Sequence, residues 1–226
     1  MPKILSRSDL GRCVLSGMEI ANQRFEIGSR GYWVSDMAVE GYMQSKVYDC
    51  LVDHVAEQGL ALAVTMETPT KYMFNDPEID RRTKPAKLLQ MIERREPDIY
   101  LHNEAYDQLY LGELKRLWGD HCHADLQRCN DFLAAHQDVR TTFFGVMLVH
   151  APGGRKWKEL EAQEIDFRTA AQEASRKGNV QVKCSFGEVQ RPDMSVPWPA
   201  HTVDKHEKWE WRGAVAVFSR RKVESS

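Results

Sequence analysis

Apolar and polar positions change period several times along this chain, and each change marks a predicted element. Met43, Val47, Leu51 and Val55 recur every fourth residue, the spacing of a single buried helix stripe. This predicts a helix from Ser35 or Asp36 to about Gln58. A short polar side chain can satisfy free N–H groups at its start, and Gly59 suits a left-handed end. Before it, residues 1–35 hold turn signals such as "GSRG" at 28–31 and no long periodic segment, so they read as an irregular or short-element lead-in.

After the helix, "LALAVTMETPTKYMF" (60–74) is rich in β-forming residues and predicts a strand ending near Pro69, with a continuation toward Phe74. A charged loop, "NDPEIDRRTKPAK", and a short helix in "AKLLQMIERR" follow. Two short apolar strands then fold onto each other within "REPDIYLHNEAYDQLYLGELKR" (95–116). Leu126, Cys129 and Leu133 share one face of a helix over Asp125–Ala135. The continuous run "TTFFGVMLVH" (141–150) is the pattern of a strand buried on both sides. A charged amphipathic helix in "KWKELEAQEIDFRTAAQEASRKG" ends at Gly178, and two late strands, "VQVKCSF" and "GAVAVFS", flank a Pro- and Trp-rich connection. The order helix, strand, hairpin, helix, strand implies an α/β arrangement with a mixed sheet flanked by helices.

The hairpin carries charges where half-buried strands normally exclude them. Glu113 and Lys115 are two residues apart, so they point to the same face. A hairpin turning symmetrically at Ala105 and Tyr106 sets Asp98 opposite Glu113, with Cβ atoms about 4.5–5.5 Å apart. Carboxylates that close repel unless a cation lies between them, and hard divalent ions accept carboxylate oxygens in this way. Lys115 is not a ligand for such an ion. It would stabilise an anion or orient a water beside it, and the trio suits hydrolysis of a phosphodiester.

Pro97-Asp98 followed by Glu113-Leu114-Lys115, each in a β context, resembles the PD-(D/E)xK nuclease superfamily, the restriction-endonuclease-like fold. Residues 36–150 resemble that family's core order α-β-β-β-α-β, with 1–35 as a lead-in and 151–226 as a C-terminal α+β extension completing the same domain. The resemblance implies a metal-dependent endonuclease of restriction or repair type acting on DNA, with Mg²⁺ as cofactor and Mn²⁺ as a substitute. Asp98, Glu113 and Lys115 take the positions of the family's catalytic residues. Glu40 matches an accessory metal-holding glutamate on the first helix, with Asp36 the weaker choice, and Gln127 and Arg128 fall where members contact a phosphate. The basic residues Arg94 and Arg95, ahead of the hairpin, would either flank incoming DNA or form a solvated face. The second Pro-Asp, Pro192-Asp193, has no acid-x-Lys after it. The alternative is a nuclease fold without hydrolysis, serving as a DNA-binding or structural accessory factor.

Composition narrows the rest. With 42% hydrophobic and 28% charged residues and a mean hydropathy of -0.54, the chain has ordinary globular composition, which argues against disorder and against a membrane protein. No apolar run approaches the roughly 20 residues a bilayer span needs, and the N-terminus lacks the apolar stretch of a secretory signal. Five scattered cysteines suit reduced thiols, so the cytoplasm is the expected compartment. A net charge of -2 rules out a global basic footprint, so any DNA contact must be local. "GDHCHADLQRC" gathers His121, Cys122, His123 and Cys129 without a zinc spacing. No one pairing of Cys184 or Cys50 with a histidine is singled out as a nucleophilic site. Trp157, Trp198, Trp209 and Trp211, interleaved with lysines, suit packing at a loop-rich edge or a homodimer interface, or the stacking of bases.

Overall fold

The structure, a computed structural model of the 226-residue chain, describes residues 3–29, 40–66, 97–104, 108–135, 139–151, 158–176, 178–192 and 209–221. The N-terminal segment, expected to be irregular or built of short elements, instead holds a 23-residue helix, α1 (Arg7–Ser29). Ser6 starts it: its carbonyl accepts the Leu10 N–H at 2.9 Å and its hydroxyl accepts the Asp9 N–H at 3.1 Å. The buried face runs through Leu10, Val14, Met18 and Ala21, interrupted by the small Gly11 and Gly17. Those glycines dilute the apolar contrast, and that is why the period is faint in the sequence.

Helix α2 (Glu40–Gln58) buries Met43, Val47, Leu51 and Val55, the expected stripe. Each such side chain, removed from water, stabilises the fold by roughly 1.5–3 kcal/mol. Gly59 ends the helix with a φ of 59°; its N–H reaches the Ala56 carbonyl at 3.1 Å, and the Leu60 N–H reaches that of Val55 at 2.9 Å. This double closure satisfies carbonyls that the helix itself leaves open. The expected caps Ser35 and Asp36 lie outside the described residues, as do Pro69, Phe74, the charged loop, the short helix in "AKLLQMIERR" and, within it, Arg94 and Arg95.

Strands β1 (Ala63–Met66), β2 (Ile99–His102) and β3 (Leu109–Lys115) form an antiparallel run. Helix α3 (Cys122–Ala135), three residues longer at its start than expected, then crosses to β4 (Val139–His150), which lies parallel to β3. Helix α4 (Leu160–Ser175) leads to β5 (Val180–Phe186) and β6 (Glu210–Arg220), and β6 inserts antiparallel between β4 and β5. The sheet order is therefore β1-β2-β3-β4-β6-β5. Among the described residues this is an α/β arrangement of four helices and a six-stranded mixed sheet.

The two faces of the sheet bury separate cores. On one face α1 and α2 cover Leu101, Leu114, Phe143 and Met147; on the other α3 and α4 cover Leu111, Phe144, Val146 and Phe218. Strand β4 contributes to both, as its unbroken apolar run implied. Trp211, expected at a loop-rich edge, at an interface or against bases, is 2% exposed and belongs to the α1–α2 core. Trp157 and Trp198 lie outside the described residues. No helix among the described residues is long and apolar enough to cross a membrane.

Candidate active site

The hairpin has the expected register. Ile99 pairs with Gly112 and His102 with Leu109, so one further step places Asp98 opposite Glu113. The turn residues Ala105 and Tyr106 lie outside the described residues. Strand alternation carries Glu113 and Lys115 to the face of Leu109 and Leu111, beneath α3. Asp98 sits just before β2, and its Oδ2 accepts the Leu114 N–H at 2.6 Å. A carboxylate thus takes the place of a β2 carbonyl where that strand has not yet begun.

Glu40 arrives from the opposite layer. It is the first residue of α2, and its Oε1 accepts a hydrogen bond from Lys115 Nζ at 3.0 Å across the end of the sheet. The α2 N-terminus favours an acidic side chain there. From above β3, Arg128 of α3 enters the cluster with Nε 3.0 Å from Glu113 Oε1 and a hydrogen bond from its terminal nitrogen to Asp125. The Nε–H is not aimed at the Glu113 oxygen, so that pairing is Coulombic rather than a directed hydrogen bond.

Electrostatics tie these groups together. Burial pushes Asp98 up to about 6, opposed by the Leu114 N–H and the Lys115 charge. Burial also pushes Glu113 up to about 7, against the pull of Arg128 and with the repulsion of Asp98 and Asp125 added. Lys115 is drawn down by burial, yet the Glu40 hydrogen bond and the nearby Asp98 charge outweigh that, and its net shift is upward. Lys115 therefore stays cationic at neutral pH.

The sequence-derived set converges in part. Asp98, Glu113, Lys115 and Glu40 meet at one end of the sheet. Arg128, expected beside a phosphate, faces inward onto Glu113 and Asp125, and Gln127 donates to Asp131 Oδ1 at 2.8 Å. Asp125 is the member that sequence reasoning missed; its signal was the three-residue spacing to Arg128 on one helix face. In the His121–Cys129 segment Cys122 and Cys129 are buried and bond the Leu117 and Phe143 carbonyls, while His123 packs on Trp118.

As they stand, no three His, Cys, Asp or Glu side chains among the described residues are gathered closely enough to hold a metal ion. The donor chemistry nonetheless suits a hard divalent cation. Four carboxylates, Glu40, Asp98, Glu113 and Asp125, face two cations, Lys115 and Arg128, and the two carboxylates that burial raises offer oxygen donors alone. Comparison with family models, with curated proteins and with solved structures gives no match to this chain.

Proposed function

We propose that the chain is a metal-dependent nuclease that hydrolyses phosphodiester bonds in DNA, an endonuclease of restriction or repair type with a restriction-endonuclease-like core. The observation that carries the reading is the hairpin register, which brings Asp98 across from Glu113 while Lys115 shares the face of Glu113. The order of α2, the three antiparallel strands, α3 and the parallel β4 is consistent with it.

In this reading Asp98 and Glu113 hold Mg²⁺ or Mn²⁺, with Glu40 as an accessory acid. A bound dication would supply Lewis-acid activation of a water and neutralise charge at the phosphate. The chain's own contribution is positional. Glu40 fixes the direction of the Lys115 ammonium, which then directs hydrogen bonds toward an attacking water or a phosphate oxygen. Hydrolysis adds the water oxygen to phosphorus and breaks the bond to the leaving sugar oxygen, whose developing charge a fixed cation stabilises. A cytoplasmic location and a homodimer that cuts both strands accompany this reading.

One observation favours a second reading, a nuclease-fold protein that binds DNA without cutting it. Glu113 already has a cationic neighbour in Arg128. Incubating supercoiled plasmid with the protein and Mg²⁺ or Mn²⁺ separates the two. Nicking that disappears in Lys115→Ala and Asp98→Asn supports the nuclease, binding without nicking supports the second reading, and nicking undiminished in both variants removes the site assignment.

A further inference from the structure

Arg128 is held unequally by its two acids. Its side chain is 12% exposed, and those of Glu113 and Asp125 are 7% and 9% exposed, so all three are largely removed from water. Asp125, one turn back on α3, accepts a hydrogen bond from the guanidinium. Glu113 lies 3.0 Å from Nε, but that N–H points elsewhere. The guanidinium is thus anchored to its own helix and leans on the strand carboxylate through charge alone. A contact of that kind is easier to exchange than one locked by directed hydrogen bonds. A carboxylate buried to this degree needs a positive neighbour, since an unpaired buried charge is costly.

We propose that Arg128 is the resident counter-ion of Glu113, competing with a divalent cation for that carboxylate, and that Asp125 tethers the guanidinium and limits its hold on Glu113. The proposal rests on the reading of Asp98 and Glu113 as metal-holding residues. Arg128 is then a positioning residue: it keeps Glu113 neutralised until a dication arrives, and yields that oxygen without leaving α3. Removing its charge relieves the competition. Removing the Asp125 charge leaves Glu113 as the stronger remaining acceptor and strengthens the competition.

The test is calorimetric titration of the full chain with Mn²⁺ alone, with thermal melts of each variant as a check on folding. Arg128→Met is expected to bind Mn²⁺ about tenfold more tightly, a coupling within the usual range for two sites. Arg128→Lys, which keeps the charge, should stay near the wild type, and Asp125→Asn should bind several-fold more weakly. In Glu113→Gln the effect of the Arg128 substitution should vanish. Should Arg128→Met fail to fold, the order wild type above Asp125→Asn decides the matter. An unchanged affinity in Arg128→Met, or in Asp125→Asn where that variant decides, overturns the competition if Glu113→Gln still weakens uptake. In that case the metal site itself stands. Absence of carboxylate-dependent uptake in every variant overturns both.

Discussion

Lys115 Nζ donates to Glu40 Oε1 at 3.0 Å, joining the last residue of β3 to the first residue of α2, 75 positions earlier in the chain. Two layers of the fold meet in that contact, and it points the ammonium along the end of the sheet. Both side chains are partly exposed, so the pair itself stabilises the fold little, about 0.5 kcal/mol or less. Lys115→Ala should therefore melt close to the wild type while losing nearly all cleavage, a drop of about 10² or more in rate. Glu40→Gln should give a smaller loss, because it disturbs the direction of Lys115 without removing its charge. Plasmid nicking beside a thermal melt checks both.

Asp98 has two separable tasks. Its Oδ2 satisfies the Leu114 N–H at 2.6 Å, and its charge belongs to the acid cluster. Alanine removes both and leaves an amide unpaired at the edge of the core, at a cost of about 1–3 kcal/mol. Asparagine keeps an acceptor oxygen for Leu114 and removes only the charge. Chemical denaturation should accordingly rank Asp98→Asn well above Asp98→Ala in stability, with both devoid of cleavage. Equal stability of the two would show that the Leu114 hydrogen bond contributes nothing.

Acid strength in the cluster fixes a pH dependence of stability. Asp98 rises from an ordinary 3.8 to about 6 and Glu113 from 4.5 to about 7, both chiefly through burial. Between those values the folded chain holds more protons than the unfolded chain, so stability falls as pH rises. The proton-linked stabilisation is complete below about pH 4 and is lost as pH rises through about 6 and 7, so that little remains by about pH 8. Most of the change falls between about pH 5 and pH 8, and that is the range to measure. In chelator, the loss across it should be on the order of 4 kcal/mol. Asp98→Asn combined with Glu113→Gln should flatten the slope, and melts in a constant-ionic-strength buffer series measure it.

What was legible in the sequence were features set by short-range pattern. The four-residue stripe of α2, the apolar run of β4 and the alternation that puts Glu113 and Lys115 on one face all follow from local periodicity. The register of Asp98 against Glu113 followed from counting about a turn. The Arg128–Glu113 pairing was not legible, because it depends on how α3 settles over β3, a tertiary relationship with no local signature. Helix α1 escaped notice because its buried face is built partly from glycine, a poor helix former whose use here is only apparent once α2 lies against it.

That use makes Gly17 a sharp test of the α1–α2 packing. A Cβ placed there would sit 2.4 Å from Val47 Cα, 2.7 Å from Val47 N and 2.8 Å from the Lys46 carbonyl oxygen. All three are main-chain atoms of α2, which cannot swing aside as a flexible side chain does. Alanine is the better helix former by about 1 kcal/mol, so a free α1 would gain from the change. In the folded chain the gain is outweighed by forcing the two helices apart, an overpacking cost of typically 1–3 kcal/mol. Because α2 begins with Glu40, separation of the helices should also loosen the Glu40–Lys115 contact. Gly17→Ala is therefore expected to lower both stability and cleavage, whereas Gly28→Ala, whose Cβ meets nothing within 4 Å, should not lower stability. Denaturation and nicking assays on the two variants decide it, and a Gly17→Ala protein as stable as the wild type would mean that α1 and α2 do not cross at this residue.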